Sequence, residues 1–200
     1  TDNTSKIIDD FIVDKSNFLK VVTQKDIEQL KGKTLAIANG IDYATGEIIL
    51  TTDADCVVSS NWAKSIASYY IDENVAMVNG FTNQEGEKSF SAMQSVDFIY
   101  LLGVASGAIN LGKPLSALGN NMSYRKSVYD EIGGYSALKF SVTEDFNLLM
   151  AIHELKKYKI IYPVDDGALV TSKPCSDFKS LYRQKKRWSV GGLESDFAGY

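Results

Sequence analysis

Leaving the apolar run 48–50, the chain places two threonines and then two carboxylates one residue apart, Asp53 and Asp55, in the stretch IILTTDADC. Carboxylates at i and i+2 leaving a buried strand are splayed by the turn. One can then hold a divalent ion while the other reaches a sugar or a second ligand. Oxygen-only ligation suits Mg2+ or Mn2+, which take one or two protein carboxylates and fill the remaining positions with water and substrate phosphate. The same Asp-x-Asp spacing also serves ordinary turns through side-chain hydrogen bonds to backbone. On this stretch alone both readings stand.

Two further groups carry chemistry. In SVTEDF, residues 141–146, Thr143 is placed to cap a helix, and Glu144 and Asp145 fall in its first turn, where the macrodipole stabilises negative charge. Capping alone accounts for them; a functional role requires Asp145 to face a cleft as an ionised general base able to accept a proton from a hydroxyl. In QKKRW, residues 184–188, helical spacing predicts that Gln184, Arg187 and Trp188 share one face while Lys185 and Lys186 point elsewhere. A guanidinium fork matches the oxygens of a diphosphate, and an indole suits a sugar ring or a base. A solvated basic helix anchored by one Trp has the same sequence.

The elements that must position these groups follow from periodicity. Residues 5–11 predict a short helix, 18–23 (FLKVVT) a strand, and 35–43 a helix ending at Thr45-Gly46. EIILTT then reads as an all-apolar strand buried on both faces, and a helix capped by Ser59 or Ser60 leads to a strand in VAMVNGF. Strand and helix alternate, which predicts an α/β domain with a mostly parallel central sheet flanked by helices. The second half is more helical: residues 89–110 form a long helix, NMSYR a short strand, SVYDEIGGY a helix capped by glycines, and EDFNLLMAIHELKKY an amphipathic helix. KIIYP reads as a strand and DFKSLYRQKKRWSVGG as a basic closing helix. In open α/β sheets ligands sit beyond the carboxyl ends of the strands, where Asp53 and Asp55 fall.

Composition narrows the functions available. Two hundred residues, 44% of them hydrophobic, can bury a large core without disulfides or structural metals, and one domain over 1–200 is the expectation. A net charge of −4 argues against nucleic acid as a partner. Two distant cysteines and a single histidine disfavour a disulfide framework, a zinc site or a His-based triad. The apolar stretch 98–112 is interrupted by Ser106 and Asn110, which predicts a buried or surface-lying helix rather than a span.

An oxygen-type metal site, a candidate base and a phosphate-reading helix are together the parts needed to move a sugar from a nucleotide diphosphate to an alcohol. Their order, DAD then TED then QKKRW, resembles inverting glycosyltransferase family 2 on the GT-A fold, in its membrane-associated branch with D, DxD, TED and QxxRW motifs. GKTLAIANGI and ATGEII before the first motif, and GNNMSYRKSVYDEIGGY before the second, extend the resemblance over nearly the whole chain. It implies that Asp55 holds Mg2+ or Mn2+ against the donor diphosphate, with Asp53 assisting at the metal or the donor's ribose and sugar. It further implies Asp145 as the base on the acceptor hydroxyl, Arg187 on the leaving diphosphate, and Gln184 and Trp188 at the boundary between donor and acceptor. Asn120 and Asn121 would lie in an acceptor-side loop, Lys33 near the donor, and Glu144 would orient its loop or pair with a basic group.

The implied partners are a nucleotide-sugar donor, a UDP-sugar first, and a saccharide or lipid-linked acceptor. Attachment to the membrane is expected through segments outside this chain, with the catalytic domain on the cytoplasmic side. TDNTSKII resembles the piece that follows the family's first acidic motif. The expectation is therefore a partial catalytic domain without its first nucleotide-binding strand and base-reading aspartate. A nucleotidyltransferase shares the aspartate pair but needs no QxxRW helix, and a non-catalytic donor-binding or scaffold domain would keep the fold without turnover.

Overall fold

All five residues of VAMVN are buried, Ala76, Met77 and Val78 completely so, and a strand covered on both faces has to lie inside a sheet. The computed structural model describes residues 2–23, 30–139, 141 and 143–194, with side chains to residue 190, and the chain falls into two compact units, Thr1–Thr45 and Gly46–Tyr200. The first unit holds α1 (Thr4–Ile12) and α2 (Gly32–Tyr43). The second begins with β1 (Ile48–Thr51), β2 (Cys56–Val58), α3 (Trp62–Tyr69), β3 (Val75–Asn79), β4 (Thr82–Gln84) and α4 (Ser89–Asn110). A 3-10 turn at Gly119–Asn121 leads into β5 (Met122–Arg125), α5 (Lys126–Glu131) and α6 (Gly134–Ala137). Then come α7 (Glu144–Glu154), β6 (Lys159–Ile161), a second 3-10 turn at Asp166–Ala168, β7 (Val170–Ser172) and α8 (Phe178–Glu194).

Four strands form the central sheet in the order β1-β5-β3-β6. β5 runs antiparallel to both β1 and β3, and β3 runs parallel to β6. Three strands therefore share a direction, as the alternation predicts, and β5 is inserted against them. β1 lies at an edge of the sheet among the described residues and only its Ile49 is buried, so its apolar run is half-covered rather than sandwiched. A second, three-stranded sheet has the order β2-β7-β4. Its strands are three residues each, too short for a period of two to register in the sequence.

Two apolar clusters among the described residues help to hold the second unit. Ile66 and Tyr70 pack with Val75, Val78 and Ala168 on one side; Phe98, Leu102, Ala105 and Tyr162 form the other, joined by Phe81 and Trp188. The buried face of α7 contributes Phe146, Leu148, Leu149 and Ile152. Helix α4 occupies the expected span and, by length and composition, is apolar enough to cross a membrane. It buries Phe98, Leu102 and Ala105 and leaves Val96 and Tyr100 exposed, as is Leu111 just beyond its end.

Three local expectations are corrected. Residues 18–23 form no strand: Phe18 packs edge-on against Phe11 and Lys20 binds Asp9 at 2.7 Å, which holds the segment back on α1 in place of a sheet partner. The residue capping α3 is Asn61, while Ser59 donates its hydroxyl to the Gly167 carbonyl. At the entry to α7, Thr143 makes no capping bond with its side chain; its N–H is taken by Ser141 Oγ at 3.1 Å.

The two sheets are stitched together by Asn121. Its side chain is 0% exposed, donates to the carbonyls of Phe81 (2.7 Å) and Ala168 (2.9 Å), and accepts from Trp62 Nε1 (2.9 Å). Gly80 makes room for it, since a Cβ there would lie 2.4 Å from the amide nitrogen. Asn121→Ala should destabilise the protein by about 2–4 kcal/mol, because it removes the side-chain donor to the Ala168 carbonyl and the acceptor of the Trp62 indole N–H, and leaves the Phe81 carbonyl with the Val170 N–H alone. Chemical denaturation measures this; a loss below about 0.5 kcal/mol would show that Asn121 does not stitch the sheets.

Candidate active site

Strand β1 ends at Thr51, and the acidic turn that follows is closed by the Cys56 N–H donating to the Asp53 carbonyl at 3.0 Å. Asp53 is half-buried and Asp55 exposed. The turn's neighbour is Gly119–Asn121. Thr51 Oγ1 lies 2.9 and 3.0 Å from the carbonyls of Gly119 and Met122, Thr82 donates to Asn120 Oδ1 at 3.0 Å, and Asn120 Nδ2 reaches Cys56 Sγ at 3.7 Å. From α7, Asp145 Oδ2 accepts the N–H of Gly119 at 2.8 Å, and its Oδ1 accepts the N–H of Phe146 at 2.9 Å. One three-residue turn thus connects the DAD loop to the TED carboxylate, fixing two groups separated by about ninety residues of sequence.

The charges at this junction mark their neighbours. Burial pushes the Cys56 thiol above its ordinary range, and the carboxylates of Asp55 and Asp53 push it further. A thiol kept protonated leaves the oxygens of Asp53 and Asp55 as the ligands the turn can offer. Two carboxylates, one of them exposed, fit a hard divalent cation that completes its shell with water and phosphate. Among the described residues no group of three or more His, Cys, Asp or Glu forms a cage. Burial, and then the Asp145 charge, raise the Tyr162 hydroxyl, which is buried with no hydrogen-bond partner.

Asp145 opens onto a cavity of about 700 Å³, whose wall includes Thr143, Phe98, Leu102, Lys185 and Trp188. Helix α8 reaches it by a face different from the one its motif predicts. Leu181 and Trp188 are the anchors, Leu181 buried and Trp188 packed on Phe98 with ring centroids 5.9 Å apart. That stripe carries Lys185 inward, where it pairs with Asp97 and sits 4.9 Å above the Trp188 ring. Arg187 falls off the stripe and is exposed, and neither it nor the half-buried Gln184 lines the cavity. The expectation that Lys185 points away is corrected; the spacing 181-185-188 is the signal for it.

The remaining candidates are placed as follows. Asn120 stands between the DAD turn and β4, and Asn121 is fully buried with its amide committed to the sheets, so it positions the turn without facing a ligand. Glu144, in the first turn of α7, helps to raise the Tyr135 hydroxyl after burial and Tyr124. Lys33 lies in the first turn of α2, within the first unit.

A mixed sheet with an acidic turn beyond one strand, and a further carboxylate facing a cavity, is built here on the GT-A fold of glycosyltransferases. The fold matches a mannosyltransferase from Pyrobaculum calidifontis, solved in complex with GDP-Man and Mn2+, at a TM-score of 0.72 over 100% of this chain and 53% of that one, with 16% identity. The family described as "Glycosyl transferase family group 2" matches residues 48–200, and the chain belongs to it. It is 25% identical over 202 residues to the probable glycosyltransferase YdaM of Bacillus subtilis, covering 96% of this chain and 45% of that protein. It is also 26% identical over 202 residues to a poly-beta-1,6-N-acetyl-D-glucosamine synthase of Staphylococcus epidermidis, covering 97% of this chain and 45% of the relative. The chain thus spans less than half the length of these relatives.

Because its raised pKa keeps Cys56 as a thiol at neutral pH, alkylation should be slow at pH 7 and accelerate only as pH climbs through the raised value. Asp55→Asn removes one negative neighbour, lowers that pKa, and should speed alkylation at pH 8 by about threefold or more in a Cys175→Ser background. Mass spectrometry follows the adduct; an unchanged rate in Asp55→Asn would separate the Asp55 charge from the thiol.

Proposed function

We propose that residues 1–200 are a glycosyltransferase catalytic domain that moves a sugar from a nucleotide-diphosphate donor, a UDP-sugar first, to a hydroxyl acceptor with inversion at the anomeric carbon. The observation that carries this reading is the Gly119–Asn121 turn, which ties the DAD loop to Asp145 while Asp145 faces a cavity large enough for an acceptor. Family membership supports it.

The chemistry assigns each side chain a task. Asp145, its carboxylate oriented by two backbone N–H groups, takes the proton from the acceptor hydroxyl. The acceptor oxygen then forms a bond to the anomeric carbon as the bond to the diphosphate oxygen breaks, its electron pair leaving with the nucleotide. Asp55 and Asp53 would hold Mg2+ or Mn2+, which supplies positive charge to the diphosphate when bound. A fold neighbour solved with Mn2+ is in keeping with that choice. Arg187, exposed on α8, is the cation for the leaving diphosphate, with Gln184 beside it and Trp188 at the acceptor boundary. Membrane attachment, with this domain on the cytoplasmic side, is assigned to segments outside the chain. The repeating product named for the staphylococcal relative supports a polysaccharide-making or lipid-glycosylating role.

The test is nucleotide release from UDP- and GDP-sugars with Mn2+ by the full-length protein. Asp145→Asn and Asp55→Ala should each lower turnover at least about tenfold, roughly 1.4 kcal/mol of barrier, and chelation should abolish it. Wild-type turnover in both variants would remove the assigned roles.

A further inference from the structure

The wall of the Asp145 cavity is built mostly of hydrocarbon. Phe98, Leu101, Leu102 and Val104 come from α4, and Leu115 and Leu118 from the segment before the Gly119 turn. Polar groups are confined to Asp145 and Thr143 at the start of α7, Ser116, Ser189, and the Asp97–Lys185 pair between α4 and α8. A free saccharide presents a hydroxyl on nearly every carbon, and each one buried here without a partner would carry a desolvation cost. Of the aromatic rings in this wall, Trp188 packs on Phe98 and carries the Lys185 ammonium, and Phe98 and Phe146 are themselves buried.

The cavity does not end at a polar rim. Leu101 and Val104 both line it and are each 42% exposed, so the apolar wall continues onto the outer face of α4. There Val96 (70% exposed), Tyr100 and Leu111 extend the same surface. Gly103 and Gly107 lie on this helix, and a Cβ added to either would meet no atom within 4 Å, so there is open space beside the chain. A carboxylate in a mostly apolar cavity that runs out onto an apolar helix face matches a hydroxyl head on a long aliphatic chain.

We infer that the acceptor is an amphiphile, whose hydroxyl meets Asp145 while its aliphatic chain lies against Leu101, Val104 and the outer face of α4. This rests on the sugar-transfer reading and narrows its acceptor class. The bonds exchanged are those of that reading: the proton passes from the amphiphile's hydroxyl to Asp145, its oxygen bonds the anomeric carbon, and the nucleotide diphosphate leaves. Head groups of two origins share this chemistry, a glycerol hydroxyl and the hydroxyl of a sugar already on a lipid.

Full-length protein, a labelled nucleotide sugar and two acceptor series decide the matter: 1-O-alkyl glycerols and alkyl glucosides with short, medium and longer tails, kept below micelle formation, against glycerol and a soluble oligosaccharide. Apparent KM should fall about tenfold or more from the shortest to the longest tail, since each buried methylene favours binding. The series with the lower KM identifies the head group. Val104→Asp and Leu101→Asp, partly exposed positions whose folding is checked by thermal melting, should flatten that dependence to less than about threefold. Nucleotide release to water is read in parallel. Donor turnover with a KM indifferent to tail length, or with the oligosaccharide as the better acceptor, overturns the amphiphile and leaves sugar transfer standing. Absence of nucleotide release from every donor overturns both.

Discussion

The arrangement depends on the buried amide of Asn121. A primary amide removed from water has to find partners for its donors and its acceptor, and here an amide whose backbone leads into β5 of the first sheet finds them beside the second: the Phe81 carbonyl before β4, the Ala168 carbonyl before β7 and the indole of Trp62 at the start of α3. Fixing that amide fixes the backbone on either side of it. The Asn121 carbonyl accepts the Gly80 N–H at 2.8 Å, and two residues upstream the Gly119 N–H is aimed at Asp145. The geometry proposed for catalysis is thereby held by a buried amide and backbone groups, which is how a carboxylate is kept in register more firmly than its own rotamers would allow.

The two acidic groups on either side of the turn live in different dielectric surroundings. Asp55 is exposed, on a turn that water can enter freely, and suits an ion that retains part of its hydration. Asp145 is half-buried beside hydrocarbon and close enough to an unpartnered Tyr162 hydroxyl to raise it. The assigned tasks, charge neutralisation at one and proton transfer at the other, follow from that contrast rather than from residue type, because all are aspartates.

How much of this is legible in the sequence depends on how local each determinant is. Long periodic elements such as α4, α7 and α8 are readable because their apolar spacing repeats over several turns. The DAD and TED stretches are legible as candidates by type and order, and the structure brings them to one turn. The second sheet is not readable, since three-residue strands carry no period, and residues 18–23 show that β-branched composition makes no strand without an edge to pair with. The rotation of α8 is misjudged when QKKRW is taken in isolation: the helix turns on Leu181 and Trp188, and a stripe drawn through those two brings in Lys185 and leaves Arg187 outside. Asn121 looks like turn chemistry because the residues it serves lie 40 and 47 positions away.

Helix α4 shows how the same stretch can serve folding and recognition at once. Its inner face, Phe98, Leu102 and Ala105, joins the core with Tyr162 and is fully used in holding the unit together. Its outer face keeps Val96 and Tyr100 in water, with Leu111 just beyond, where each large apolar side chain forgoes about 1.5–3 kcal/mol of burial. Leu101 and Val104 stand on the border between the faces and in the wall of the Asp145 cavity. Hydrophobic free energy that folding leaves unused on this helix is therefore available at the proposed acceptor cavity, and the Asp97–Lys185 pair, set into the same wall, interrupts it with one fixed dipole. For the proposed acceptor, binding strength would then come from hydrocarbon contact and orientation from a few polar groups, the division of labour expected when one hydroxyl has to be presented to a single base.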